Sequence, residues 1–247
     1  MSRETGFAPL PATLPISGTA LRQVLEAPLS ASSLPPSPAG TVTRFAPSQT
    51  GDLHLGHAYS ALFAAEQARR DGGTFLLRIE DIDITRCKPE HEAANLEDLR
   101  WLGLSWPEPV RRQSEHFGFY QTALDRLEEM GLLYRCFLSR RELNDALSAP
   151  HGAPPKAPVD TDMLLSDAER QRRLDSGKPF ALRLRMARAI ERVGPLTWAD
   201  RHRGEHQARP EIFGDVVLAR RDIPTSYHLA VTLDDALQGI TLVTRGE

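Results

Sequence analysis

The segment Arg44-Phe-Ala-Pro-Ser-Gln-Thr-Gly51, followed by His54-Leu-Gly-His57, carries residue types suited to holding a nucleotide phosphate. Val42, Arg44 and Phe45 form a short β-like run. Pro47, Ser48, Thr50 and Gly51 are turn residues with different jobs: proline fixes φ, glycine permits positive φ, and Ser and Thr offer local caps. A helical pattern then begins, with Ala58, Leu62, Ala65 and Ala68 on one face up to Arg70. The first turn of such a helix has free backbone N–H groups and partial positive charge, which suit an anion. Gly56 removes a side chain where a nucleotide would approach. His54 and His57 add donors that reach phosphate oxygens as charge builds up on them. Taken alone, His-x-Gly-His is equally compatible with a helix start bearing two exposed histidines.

Two further segments end in acids. Gly73-Thr-Phe-Leu-Leu-Arg-Ile-Glu-Asp-Ile-Asp-Ile-Thr-Arg86 reads as a buried strand closing on Glu80, Asp81 and Asp83. Tyr227-His-Leu-Ala-Val-Thr-Leu-Asp-Asp235 reads as another strand ending in acids, with Arg245-Gly246 soon after. Without other context Arg44 reads as a surface strand residue, Asp81 and Asp83 as a capping acidic turn, and Tyr227 as core.

Taken together, RFAPSxTGxLHxGH, LRIEDxDxxR, YHLAxxxDD and the later Arg-Gly resemble the catalytic domain of the class I glutamyl-tRNA synthetase family, over roughly residues 41–247. The wording is most similar to the family's short branch, the glutamyl-Q tRNA(Asp) synthetases, which lack an anticodon-binding domain. After Trp101–Glu108 the chain goes directly to Arg111–His116, without the Gly-rich insertion of the long synthetases. The runs Gly214–Asp222, Ile223–Ala230 and Asp235–Thr241 also resemble the short form.

The resemblance implies an α/β fold: a Rossmann-like class I aminoacyl-tRNA synthetase catalytic domain with an inserted α+β subdomain at about 105–210, its C-terminal part missing. It implies a ligase that activates L-glutamate with ATP and Mg²⁺ and passes it to the queuosine base of tRNA(Asp). By motif position, His54 and His57 are the catalytic pair, and Thr50, His54, Gly56 and His57 bind ATP. Arg44 is the first glutamate contact, because a guanidinium grips a carboxylate bidentately. Phe45, Ala46, Pro47 and Ser48 line the same pocket, Ala46 and Ser48 through backbone or hydroxyl bonds. Glu80 takes the α-ammonium, and Tyr227 and Arg245 complete the pocket, with Arg245 the second carboxylate partner. Two arginines and one acid match a substrate with two carboxylates and one ammonium. Asp234 and Asp235 orient the pocket or contact the ribose. Magnesium rides on the ATP phosphates, with Asp81 and Asp83 the alternative holders.

Relatives often hold zinc with a Cys-x-Cys pair near Cys136. This chain reads Cys136-Phe-Leu138, and Cys136 with His151 does not make a closed four-ligand site, so no zinc and no protein metal site are expected. A second departure concerns the KMSKS-type ATP motif of class I synthetases: no lysine follows Lys178. That leaves two other readings, an N-terminal fragment of a discriminating glutamyl-tRNA synthetase and a non-catalytic remnant that binds tRNA or glutamate.

The elements that must position these residues are legible in outline. Residues 1–40 contain seven prolines and only Arg3, Glu4, Arg22 and Glu26 as charges, which suggests a flexible extension with one short helix near Thr19–Glu26. Helices are expected at Pro89–Leu102 (Leu96, Leu99 and Leu102 inward), Ser114–Met130 (capped by Ser114), Ser139–Leu147 and Ser166–Asp175. Strands are expected at Leu132–Phe137, Phe180–Met186, Phe213–Ala219 and Ser226–Leu233, and a loop at Ser148–Asp160. The net charge of −3 gives no global attraction to nucleic acid. All but three of the 30 basic residues are arginine, and Arg183, Arg185, Arg188 and Arg192 crowd one segment that suits tRNA phosphates. His116, His202 and His206 read as surface residues. Two cysteines do not suggest a disulfide framework, and a cytoplasmic monomer is expected. No apolar run is long enough to span a membrane.

Overall fold

The computed structural model describes residues 40–138, 142, 164–220 and 223–245. The Pro-rich extension, His151, Gly246, the Ser148–Asp160 loop and, apart from Glu142, the Ser139–Leu147 helix lie outside the described residues. The chain divides into two compact units, one holding 121–226 and the other the residues on either side of it. Among the described residues no helix is long and apolar enough to cross a membrane.

In the unit that contains 40–120 and 227–245, strand β1 (Val42–Phe45) leads through the Ala46–His54 loop into helix α1 (Leu55–Arg70) and back to β2 (Thr74–Ile79). β1 and β2 pair in parallel, Val42 opposite Thr74 and Phe45 opposite Leu77. Helix α2 (Pro89–Trp101) follows, and β3 (Arg111–Arg112) adds parallel to the other edge of β2, with Arg78 opposite Arg111. This is the parallel β-α-β arrangement that the sequence pattern anticipates. The core gathers Phe45, Phe75, Leu77, Ile79 and Leu99 with Ala61, Ala64 and Ala68 of α1.

The buried face of α1 is a small-residue face. Ala61, Ala64 and Ala68 are inside, whereas Leu62, expected inward, is 42% exposed. Alanines let the helix lie close enough to β1 for the buried Thr43 hydroxyl to donate to Ala64 O at 2.9 Å. The turn after α1 is equally tight. A Cβ on Gly73 would sit 1.8 Å from Thr41 O, so only glycine allows that approach.

Two expected elements are corrected. Ser114 does not cap a helix running to Met130. A 3₁₀ turn (Gln113–His116) precedes helix α3 (Phe117–Glu129), and Ser114 donates its backbone N–H and its hydroxyl to Asp81, at 2.8 and 2.6 Å. A carboxylate accepting from the start of the turn does what a serine cap would have done. The second correction is the strand expected at Ser226–Leu233. It is a helix, named α6 below, spanning Tyr227–Leu237, with Leu229, Ala230, Leu233 and Asp234 buried. The alternation Leu229, Val231, Leu233 mimics a strand, but the spacing of the buried set is helical. After the helix, the N–H groups of Thr241 and Leu242 donate to Val42 O, running along the free edge of β1.

In the unit 121–226, β4 (Leu133–Cys136), β5 (Ala181–Leu184) and β8 (Val217–Arg220) form an antiparallel sheet in the order β4-β5-β8. Helix α4 (Asp167–Asp175) lies between β4 and β5 in sequence, capped by Ser166. Helix α5 (Met186–Val193) and a hairpin of β6 (Thr197–Asp200) and β7 (Gly204–Gln207) fill the stretch before β8. No sequence pattern announces these last three elements.

Candidate active site

The loop from β1 to α1 is stapled to the end of β2. Pro47 O accepts from Glu80 N at 3.2 Å, Gln49 Nε2 donates to Pro47 O at 2.9 Å, and Gln49 O accepts from Lys88 N. Gln49 is buried, while Ser48 and Thr50 are exposed with their hydroxyls 3.5 Å apart. The loop thus offers two hydroxyls from a fixed backbone. Phe45 points into the core, so it can serve a substrate pocket only through its main chain.

At the start of α1 the two histidines form a reciprocal cap. His54 Nδ1 accepts from Gly56 N at 3.1 Å, and His57 Nδ1 accepts from His54 N at 3.3 Å. The rings stack with centroids 3.8 Å apart. Because each Nδ1 accepts a backbone proton, the proton of each neutral ring sits on Nε2. This revises the expectation of free backbone donors. The Gly56 N–H is used in the cap and the His57 N–H bonds to His54 O, so the two Nε2–H groups are the principal donors left for an anion. Gly56 also has a second role, since a Cβ there would lie 3.0 Å from the His54 ring. Burial, and then the neighbouring His54, hold the His57 pKa below its usual 6.5. The folded ring therefore binds fewer protons than the unfolded one, and stability falls as pH drops below about 6.5. In an NMR titration His57 should titrate below 6.5, and Mg-ATP should move it upward because phosphate favours the protonated ring. An upward shift in the free protein, or no response to ATP, would contradict this arrangement.

Beneath the loop lies a chain of alternating charges from three elements. Arg44 of β1 makes two parallel bonds of 3.2 Å to Asp235 of α6. Arg78 of β2, fully buried, donates Nη1 to Asp235 at 2.7 Å and to Gln238 at 3.0 Å, and Nη2 to Glu80 at 2.9 Å. Burial pushes the Glu80 carboxyl up, opposed by Arg78 and Arg44. A second knot surrounds Asp234, which is fully buried and accepts from Arg111 Nε, Gln113 Nε2 and Tyr120 OH at 2.8, 2.9 and 2.8 Å. Burial and Asp234 push the Tyr120 hydroxyl pKa up.

The structure thus brings Arg44 and Glu80 into one cluster and sets His54 against His57. Tyr227, 54% exposed, opens α6, and Arg245 is exposed; among the described residues neither has a hydrogen bond or ion pair to that cluster. Arg78, Gln49, Gln113 and Arg111 were missed. The available signal was an arginine at position 78 in an otherwise apolar run, Phe75–Ile79, where a charge must find partners. Asp83 holds its own turn through Thr85, and Asp81 holds Ser114, so both acids are engaged in the fold.

In the unit 121–226, three of the four arginines singled out for tRNA phosphates bind main-chain carbonyls. Arg183 reaches Asp215 O, Arg185 reaches Leu133 O and Arg188 reaches Gly131 O, while Arg192 is exposed. Cys136 is buried against Tyr134 and Leu138. Among the described residues no group of three His, Cys, Asp or Glu side chains is placed to hold a metal ion. His116 is only partly exposed, and burial and Arg111 hold its pKa down.

The sequence profile of the family described as tRNA synthetases class I (E and Q), catalytic domain, matches residues 41–247. A glutamyl-Q tRNA(Asp) synthetase of Rhodobacter capsulatus is 51% identical over 212 residues, covering 83% of this chain and 76% of that protein. One from Nocardia farcinica is 44% identical over 208 residues, covering 84% of this chain and 63% of its own length. A glutamate–tRNA ligase of Coprothermobacter proteolyticus is 41% identical and is covered over 44% of its length. A crystal structure of a glutamate tRNA ligase from Elizabethkingia meningosepticum in complex with its amino acid superposes with a TM-score of 0.67 at 30% identity, covering 84% of this chain and 44% of that one.

Proposed function

The chain belongs to the family of class I tRNA synthetase (E and Q) catalytic domains, and from that membership we propose that it activates L-glutamate with ATP and transfers it to the queuosine base of tRNA(Asp). The observation that carries the amino-acid half is the charge cluster: a cation at the end of β1 held by the partly buried Asp235, and an acid at the end of β2 held by the fully buried Arg78. In this reading the Arg44 guanidinium takes a glutamate carboxylate with the donors that Asp235 leaves open, and Glu80 takes the α-ammonium. Ala46, Pro47 and Ser48 line the pocket, and Tyr227 and Arg245 close it. An α-carboxylate oxygen then attacks the α-phosphorus of ATP, and the bond to pyrophosphate breaks. Two anions must meet in line, so positioning and charge neutralisation dominate catalysis. The Nε2–H groups of His54 and His57 donate to phosphate oxygens, and Thr50 and Gly56 border them. Magnesium arrives with the ATP phosphates and neutralises them. A nucleophile on the queuosine base next attacks the glutamyl carbonyl, and AMP leaves.

What supports the modified base as acceptor is similarity to named glutamyl-Q tRNA(Asp) synthetases at 51% and 44% identity, beside glutamate–tRNA ligases at 41%. In this reading the acceptor-facing insertion, expected at about 105–210, corresponds to the unit 121–226. The test is transfer of labelled glutamate, with ATP and magnesium, to tRNA(Asp) with and without queuosine, and to tRNA(Glu). Label on queuosine-bearing tRNA(Asp) alone is expected. Label on tRNA(Glu) would move the chain to the 3′-charging synthetases, and label on no tRNA would overturn transfer altogether.

A further inference from the structure

Arg78 is the side chain that the proposed reaction does not yet use. It is fully buried in the middle of the charge cluster, and a buried arginine costs several kcal/mol in desolvation unless its donors are matched. Its Nη donors are divided between Asp235 of α6, Gln238 in the turn just after that helix, and one strand-end acceptor, Glu80, while its Nε makes no hydrogen bond and lies 3.9 Å from Asp234. Only Oε1 of Glu80 is held. Oε2 accepts nothing among the described residues, and the Glu80 side chain keeps 11% of its exposure.

We infer that Arg78 is a positioning residue for the ammonium group of the amino-acid substrate: it keeps Glu80 ionised in a dry site, fixing one carboxylate oxygen and leaving the other to accept from the substrate. The inference rests on the proposed glutamate site. Three charged groups face Glu80: Arg78 on its own strand, Arg44 from β1 and Asp235 from α6. Asp235 is itself tied to both arginines, so Arg78 is the cation in direct contact with Glu80. Burial alone would drive the Glu80 carboxyl toward its neutral form, and a neutral acid is a poor partner for an ammonium ion. Replacing Arg78 with a neutral residue therefore removes the charge that offsets burial.

The experiment measures KM for glutamate and for ATP, and kcat, from glutamate-dependent AMP formation between pH 6 and 8.5. It uses the full chain and the variants Arg78→Gln, Arg78→Lys and Glu80→Gln. Arg78→Gln should raise KM for glutamate about tenfold at pH 6.5 for each unit by which the Glu80 pKa rises above that pH. The increase should shrink as pH rises and Glu80 ionises again, while KM for ATP stays within about twofold of wild type. Glu80→Gln should raise KM for glutamate equally at all these pH values, and Arg78→Lys should restore most of the loss. A penalty in Arg78→Gln that is flat with pH, or shared by ATP, would overturn the inference. Should Arg78→Gln fail to fold, the wild type still decides: its KM for glutamate should stay flat down to pH 6, and a rise there would mean that Arg78 does not keep Glu80 charged. A wild-type chain that forms no glutamate-dependent AMP would instead overturn the proposed function.

Discussion

An Asp234→Ala protein should lose about 3–5 kcal/mol of stability in urea unfolding, because removing one partner of a buried ion pair leaves the rest uncompensated. Asp234 is fully buried and accepts hydrogen bonds from Arg111, Gln113 and Tyr120. Without it, the Arg111 guanidinium loses its carboxylate, and the Gln113 amide and Tyr120 hydroxyl lose their acceptor in a place water does not reach. Those donors come from β3, the 3₁₀ turn and the first residues of α3, whereas Asp234 sits on α6, so the carboxylate joins segments more than a hundred residues apart in the chain. Tyr120→Phe removes one donor and leaves the other two in place. It should cost less, about 1–2 kcal/mol. Equal and small losses from the two variants, near 1 kcal/mol or less, would mean that the knot does not hold this unit together.

The second large effect lies in the chemistry. His57→Asn should slow glutamyl-adenylate formation about 10²–10³-fold, the usual cost of removing one preorganised donor from developing charge. Asparagine is the informative replacement. Its side-chain oxygen falls near the position of Nδ1 and can still accept from His54 N, so the cap at the start of α1 survives. What it removes is the Nε2–H. KM for glutamate should stay unchanged, because the amino-acid cluster draws on β1, β2 and α6 and not on α1. His57→Ala removes both functions and should also lower stability, by about 0.5–2 kcal/mol for the lost cap. If His57→Asn kept full rate, His57 would be a capping residue only.

Much of the candidate site's local framework was legible because it is local in sequence. The turn at Pro47–Gly51, the start of α1 at His54 and the acids after Ile79 announce themselves through residue type and spacing, and the parallel pairing of β1 with β2 follows from the pattern between them. What was hidden depends on distant partners. Leu62 was read as inward from spacing, but how closely α1 approaches the sheet depends on Thr43 and Gly73, and that favours alanines. The run Tyr227–Asp235 alternates well enough to pass for a strand. It is a helix because Asp234 and Asp235 must turn toward Arg111 and Arg78, contacts no local pattern can reveal. Arg183, Arg185 and Arg188 read as an RNA-facing cluster from their crowding, and each also donates to a main-chain carbonyl of β4, its approach or the β8 approach, contacts that crowding cannot reveal.

The central claim is attack by the glutamate α-carboxylate on the α-phosphorus of ATP. The most direct test supplies glutamate labelled with oxygen-18 in that carboxylate, together with ATP, magnesium and queuosine-bearing tRNA(Asp), and weighs the products by mass spectrometry. One labelled oxygen is expected in each AMP and none in pyrophosphate, since the attacking oxygen stays with the adenylate phosphorus when the glutamyl group departs. Unlabelled AMP, or ADP with label in inorganic phosphate, would contradict it, because either would place the attack at another atom.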